Sequence, residues 1–171
     1  MIRKAKYHDA ESIQNLIRIF SETGKVLFRS LDEIRENITD FEVYEKKSQI
    51  IGVFSLKKDW GRLVELRSLV VDPRYSGLGI GTKMLEASIE TALSNDCDTL
   101  FVLTYAVSMF KRLGFRIVEK ETLPQKIWND CKACLHLAKC DETAMVLSLV
   151  SLRNKRSLQP LTLPIAPQKV G

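Results

Sequence analysis

Apolar and polar positions along the chain follow two periods, which separate helices from strands. Apolar residues that recur every three or four positions predict helices. A capping-box pattern, Ser30 followed by Glu33, marks the start of the second helix. The predicted helices cover residues 10–23, 31–38, 80–95 and 107–113.

Strands are predicted where apolar residues alternate with polar ones or form short continuous runs. The predicted strands cover residues 2–6, 41–45, 50–56, 63–71, 99–103, 115–118 and 143–149. A polar turn at residues 46–49 joins the second and third strands, and Asp72-Pro73 ends the fourth. The order β-α-α-β-β-β-α-β-α-β-β predicts a mixed α/β (α+β) fold with a mixed sheet, in one domain.

Residues 151–171 differ in composition from residues 1–150. The chain has 171 residues and a net charge of +5. The final segment holds four basic residues, no acidic residue and three prolines, at positions 160, 164 and 167. Because proline disfavours regular elements, we expect a domain at residues 1–150 followed by a disordered basic tail. The domain itself is then nearly neutral and has no nucleic-acid-reading motif, so no nucleic-acid partner is predicted.

The first residues of the chain and its apolar runs indicate the cellular location of the protein. Its first residues are basic, but polar residues follow where a secretory signal needs an apolar core. No apolar run approaches the ~18 residues that a membrane span requires. We therefore predict a cytoplasmic protein with small-molecule partners and no membrane partner. The sequence leaves open whether the chain forms a homodimer.

The turn between the fourth strand and the third helix is rich in glycine: Arg74-Tyr75-Ser76-Gly77-Leu78-Gly79-Ile80-Gly81. A helix N-terminus offers free N–H groups and the positive end of the helix dipole, so this turn suits a phosphate group. A P-loop is excluded because Gly81 is followed by Thr82-Lys83, the reverse of the required order. A dinucleotide fingerprint is excluded because the spacing is G-x-G-x-G and no acid closes the next strand.

Arg74, Gly77 and Gly79 match the R-x-x-G-x-G signature of the GNAT acetyltransferase superfamily, and Phe110-x-x-x-Gly114-Phe115 is also typical of it. Over residues 1–118 the chain thus resembles a GNAT acyl-CoA N-acyltransferase, which implies acetyl-coenzyme A (acetyl-CoA) as co-substrate. In that family the pyrophosphate sits on this turn, and the thioester lies against the preceding strand. The residues implied for this binding are Leu69, Val70, Val71, Arg74, Gly77, Leu78, Gly79, Ile80, Gly81 and Thr82.

Four segments resemble the acetyltransferase domain of bacterial N-acetylglutamate synthases, in the short single-domain form. They are residues 24–30, 65–73, 101–104 and 123–124. The resemblance implies acetyl transfer to the α-amine of an amino acid, with L-glutamate as acceptor, which opens arginine biosynthesis. Two alternatives remain. One is a GNAT enzyme for another small amine or a protein N-terminus, and the other is a non-catalytic acetyl-CoA sensor that binds a partner.

Four polar residues are candidates for binding the acceptor or for catalysing the transfer to it. The resemblance puts Glu65 at the general-base position, where a half-buried carboxylate suits deprotonation of an ammonium; the alternative is an ordinary exposed strand glutamate. Thr104 matches the hydroxyl that protonates or orients the leaving thiolate, with Tyr105 as a fallback donor. Arg29 matches a substrate-binding arginine, and Arg67 shares a strand face with Glu65. Guanidinium groups suit carboxylates because they pair bidentately, although Arg67 alternatively forms an ion pair with Glu65.

Residues 119–141 form a long predicted connection that contains a cysteine cluster. Cys131, Cys134, His136 and Cys140 supply three thiolates and an imidazole, a set that suits a structural zinc ion. The alternatives are cysteines that pack as small apolar residues, or redox-labile thiols. A bound zinc would fix this connection over the acceptor end of the site.

Overall fold

The computed structural model describes residues 1–124 and 140–158. The strands are β1 (Ile2–Lys4), β2 (Phe41–Lys46), β3 (Gln49–Trp60), β4 (Leu63–Val71), β5 (Thr99–Thr104), β6 (Arg116–Ile117) and β7 (Thr143–Ser148). The helices are α1 (Ala10–Ser21), α2 (Leu31–Glu36), α3 (Ile80–Ser94), α4 (Val107–Arg112) and α5 (Leu149–Leu158). None of the helices in these ranges is long and apolar enough to cross a membrane.

The strands of the described residues form one mixed sheet in the order β1-β2-β3-β4-β5-β7-β6. Neighbouring strands are antiparallel, except that β4 and β5 run parallel. The parallel pair is short, because its register joins only residues 63–65 to residues 99–101. Beyond these pairs β4 continues to Val71, while β5 keeps a full ladder with β7 as far as Thr104. The sheet is therefore open between the C-terminal ends of β4 and β5.

Helices cover both faces of the sheet, each over its own apolar core. On one face α1 and α2 contribute Ile17 and Ile34, which pack with strand residues such as Val43. On the other face α3 and α4 contribute Met84 and Phe110 to a larger core. Burial of each such side chain stabilises the fold by about 1.5–3 kcal/mol, which explains why apolar periodicity located these helices.

The structure confirms the mixed α/β fold and the order of the predicted elements. The Oγ of Ser30 caps α2 by accepting the N–H of Glu33 at 3.1 Å. The turn at residues 46–49 joins β2 and β3 as predicted. The strand β3 is longer than predicted and runs to Trp60 rather than Leu56, because its polar second half still pairs with β4.

The prediction of a disordered tail is wrong for residues 151–158, which belong to α5. Tertiary contacts hold this helix. The Nη2 of Arg153 donates to the carbonyl oxygens of Leu93 and Cys97, at 3.0 and 2.7 Å. These carbonyls lie at and just beyond the end of α3, where a helix leaves acceptors unsatisfied. The three prolines behind the prediction lie within residues 159–171, outside the described residues.

Candidate active site

A cavity of about 720 Å³ opens where β4 and β5 diverge. Its wall comes from four parts of the chain: the connection between α1 and α2, most of β4, the end of β5 with the residues after it, and the residues before β7. Since these parts are far apart in sequence, the cavity exists only in the folded chain.

The side chains predicted to act on the acceptor all line this cavity: Arg29, Glu65, Arg67 and Thr104. Each is buried, with 6%, 7%, 8% and 9% of its surface exposed, respectively. Glu65 is thus not an ordinary exposed strand residue. Ionisable groups are rarely buried without partners or a function, because desolvating a charge is costly. Their convergence on one cavity is the expected signature of a functional site.

Arg29 is held by contacts from both neighbouring helices. Its Nη1 donates to Oε1 of Glu33, one turn along in α2, at 2.7 Å. Its backbone carbonyl accepts from Nε2 of Gln14 in α1 at 3.4 Å. The guanidinium is therefore oriented before any ligand binds.

Thr104 ends β5 and is oriented by the backbone that follows it. Its Oγ1 accepts a hydrogen bond from the N–H of Ala106 at 2.9 Å. A hydroxyl has one donor and two acceptor positions, so this contact uses an acceptor position and not the proton. The geometry suits a hydroxyl that donates.

A bulge in β4 lies beside the cavity. The register with β3 shifts between Val53 and Ser55, so that Ser68 and Leu69 stand opposite a single residue of β3. Ser68 has a φ of 54°, in the left-handed region. A bulge locally disrupts the ladder, and residues 68–70 line the cavity. Their backbone N–H groups are therefore candidates to contact a carbonyl oxygen in it.

The glycine-rich turn begins where β4 ends. Gly77 and Gly79 have φ values of 76° and 74°, which glycine adopts without strain, and α3 starts at Ile80. Among the residues predicted to bind the co-substrate, Leu69 and Val70 line the cavity. The others lie at the end of β4, in the turn and in the first turn of α3. The turn and the cavity are thus two parts of one continuous strand–turn–helix unit.

Arg74 makes an ion pair with Asp72. Its Nη2 lies 2.6 Å from Oδ2 of Asp72, and its backbone N–H donates to Oδ1 at 2.9 Å. The hydrogen bond from the Arg74 guanidinium lowers the pKa of the Asp72 carboxyl. With 70% of its side chain exposed, Arg74 carries its charge at the solvent side of the turn.

Sequence reasoning missed two carboxylates of the site. Asp141 and Glu142 precede β7 and line the cavity. The Oη of Tyr105 donates to Oδ1 of Asp141 at 2.8 Å, across 36 positions of sequence. Burial, and then this hydrogen bond, raise the pKa of Tyr105. No local motif marks these residues, because only the β5–β7 pairing brings them together.

The zinc hypothesis falls largely outside the described residues. Cys131, Cys134 and His136 lie there. Cys140 is half-buried and lines the cavity. Residues 1–124 and 140–158 contain no group of three or more metal-ligating side chains.

Comparisons with known proteins agree with this architecture. A profile of the acetyltransferase (GNAT) family matches residues 11–115. An uncharacterized N-acetyltransferase of Chlorobaculum tepidum is 37% identical over 148 residues, covering 86% of this chain and 96% of that protein. The amino-acid acetyltransferase of Mycobacterium tuberculosis is 27% identical over 134 residues, covering 76% of each chain.

Among solved structures, the chain is similar to N-acetylglutamate synthase from Neisseria gonorrhoeae complexed with coenzyme A and N-acetyl-glutamate. The TM-score is 0.78 at 26% identity, and the match covers 87% of this chain and 35% of the synthase chain. The matched profile spans most of the elements that build the cavity and the glycine-rich turn. The chain is a member of the acetyltransferase (GNAT) family.

Proposed function

We propose that this acetyltransferase moves the acetyl group of acetyl-CoA to the α-amine of an amino acid, with L-glutamate as the acceptor. One observation carries the proposal. A buried carboxylate, Glu65, shares a cavity with two buried guanidinium groups, Arg29 and Arg67, and an oriented hydroxyl, Thr104. Glutamate presents two carboxylates and one amine, and each has a chemically matched partner in this set.

The donor would bind along the strand–turn–helix unit. Left-handed glycines and the N-terminus of α3 suit the pyrophosphate of acetyl-CoA, since N–H groups and the helix dipole favour an anion there. Support comes from the synthase of Neisseria gonorrhoeae, which is similar in fold and holds coenzyme A. The thioester would then reach the opening between β4 and β5, beside the bulge at Ser68.

The reaction removes two protons from the acceptor's nitrogen and supplies one to the leaving thiolate, so one proton is released overall. Glu65 would take a proton from the acceptor's ammonium, directly or through water, and the freed nitrogen would attack the thioester carbonyl carbon. Backbone N–H groups of residues 68–70 would stabilise the negative charge that develops on the carbonyl oxygen. The carbon–sulfur bond then breaks and the nitrogen loses its second proton, which balances the proton that the leaving thiolate takes up; Thr104 would protonate or orient that thiolate. The products are the N-acetylated amino acid and coenzyme A.

Relatives support an amino acid as the acceptor. The Mycobacterium tuberculosis relative is named an amino-acid acetyltransferase, and 76% of its length is matched. The synthase of Neisseria gonorrhoeae is much longer, since only 35% of it is matched. Placing the reaction in the cytoplasm, at the first step of arginine biosynthesis, is part of the proposal.

A thiol-release assay tests the proposal. Purified protein and acetyl-CoA are mixed with each of the twenty amino acids, with a polyamine and with a peptide that has a free N-terminus. Glutamate should give the highest kcat/KM. A higher value for the polyamine or the peptide would overturn the amino-acid assignment. Acetyl-CoA binding with no thiol release for any amine would point to a sensor instead.

A further inference from the structure

Two residues at the mouth of the cavity are joined by a hydrogen bond that the proposed chemistry does not use. Tyr105 follows β5, Asp141 precedes β7, and their side chains meet at 2.8 Å. Both line the cavity and both are exposed to solvent. Because the pKa of Tyr105 is raised, the phenol stays protonated at neutral pH and remains the donor in this bond.

The cavity carries charges of both signs, and they are distributed unevenly. Among the described residues, its charged lining consists of Lys25, Arg29, Glu65, Arg67, Asp141 and Glu142. The cations come from the α1–α2 connection and the middle of β4. Two of the three carboxylates come from the segment before β7, next to the end of β5, since Thr143 pairs with Thr104. The lining is thus neutral as a whole and polarised between its two sides.

An amino acid, the proposed acceptor, also carries a positive group at one place and negative groups at others, which matches the charges of the cavity. At neutral pH an amino acid enters as a zwitterion, so its nitrogen is a cation until a base removes a proton. That nitrogen must end beside the thioester, at the opening between β4 and β5. A carboxylate on the β5–β7 side attracts the ammonium toward that end, while Arg29 and Arg67 attract the carboxylates.

We propose that Tyr105 is a positioning residue, which holds Asp141 where its carboxylate receives the ammonium of the incoming amino acid and sets the acceptor's direction in the cavity. This inference rests on the proposed function. A carboxylate at a cavity mouth turns about two single bonds, and a hydrogen bond from a rigid phenol removes much of that freedom.

The inference is tested with glutarate, which has the two carboxylates of glutamate but no amine. We expect Asp141→Asn to raise the KM for glutamate about tenfold, and Tyr105→Phe to raise it about threefold. The KM for acetyl-CoA and the inhibition constant of glutarate should not change in either variant. Asp141→Glu should restore part of the affinity for glutamate. Glu121→Gln is the matched control, since Glu121 is an exposed carboxylate outside the cavity lining.

Two outcomes would overturn the inference. An unchanged KM for glutamate in Asp141→Asn would show that the carboxylate does not meet the ammonium. A parallel rise in the glutarate inhibition constant would show that the pair only supports the shape of the cavity. Failure of the proposed function has a different signature, because it would be seen in the wild type as an inability to acetylate amino acids.

Discussion

The glycine-rich turn and the cavity adjoin each other but are built in different ways. The turn is one continuous stretch, residues 74–81, and the chemistry proposed for it is mostly that of backbone N–H groups. The cavity takes side chains from four distant parts of the chain. A backbone site depends on local φ and ψ, so a short motif specifies it. A side-chain site depends on register and packing, so its specificity can change while the turn remains the same.

This contrast predicts that substitutions in the cavity affect acceptor kinetics and substitutions in the turn affect donor kinetics. The largest effect is expected for Glu65→Gln, which keeps the size of the side chain but cannot accept the proton. We expect kcat to fall about 10²–10³-fold, with the KM for acetyl-CoA unchanged. Stopped-flow or thiol-release kinetics would measure it. Glu86→Gln, at an exposed position of α3, is the control. A fall in kcat of less than about threefold for Glu65→Gln would show that Glu65 is not the general base.

The next largest effect concerns the guanidinium groups. Arg29→Gln and Arg67→Gln should each raise the KM for glutamate about 10–100-fold, because a charge-assisted contact to a carboxylate is lost. The inhibition constant of glutarate should rise in parallel, and the KM for acetyl-CoA should stay constant. Circular dichroism would establish that each variant folds. Arg116→Gln, at an exposed position of β6, is the control. A rise in the donor KM instead would mean that the arginines serve acetyl-CoA.

A smaller effect is expected in the turn. Gly79 has a φ of 74°, and a Cβ there would meet no atom within 4 Å, so Gly79→Ala is costly only through backbone strain. That strain is about 1–2 kcal/mol, which should raise the KM for acetyl-CoA severalfold and leave the KM for glutamate unchanged. Gly61→Ala is a matched control, because Gly61 has a φ of 66° and equally open surroundings, but lies in the β3–β4 turn. Equal donor KM values in the two variants would contradict a phosphate site at the turn.

The smallest effect concerns the ion pair of the turn. Asp72→Asn keeps an oxygen for the N–H of Arg74 but removes the charge, and should lower the Tm by about 2 °C at pH 7. The folded-state pKa of Asp72 is below its ordinary value of 3.8, so the stabilisation is present above that pH. It should disappear as the pH falls through the lowered pKa. Thermal melts of both proteins between about pH 2 and pH 7 measure it, and a difference in Tm that does not shrink below pH 3.8 would exclude the ion pair as its source.

The sequence predicted elements well where the signal was local. Apolar spacing located the helices that face the two cores, and Ser30 with Glu33 marked the start of α2. It missed the second half of β3, since polar strand residues carry no periodic signal when pairing alone holds them. It also missed α5, since that helix depends on the contacts of Arg153 with carbonyl groups of distant residues.

The residues of the site also divide into those that the sequence marks and those that only tertiary contacts bring together. Arg29, Glu65 and Thr104 were predicted through resemblance to a family, and Arg67 was predicted from the strand face that it shares with Glu65. The structure brings all four to one cavity. Asp141 has no motif around it, and its contact with Tyr105 spans 36 positions. Periodicity and spacing cannot find such a pair, because the antiparallel pairing of β5 with β7 creates it.

By itself the sequence determined most of the elements, their order in a mixed α/β fold and the glycine-rich turn, because the signals for these lie within a few positions of the chain. Only the tertiary structure decided which charges share the cavity and which side of it is acidic. The physical reason is that β4 and β5 separate after three register pairs, and the space between them is lined by whatever the rest of the fold places there.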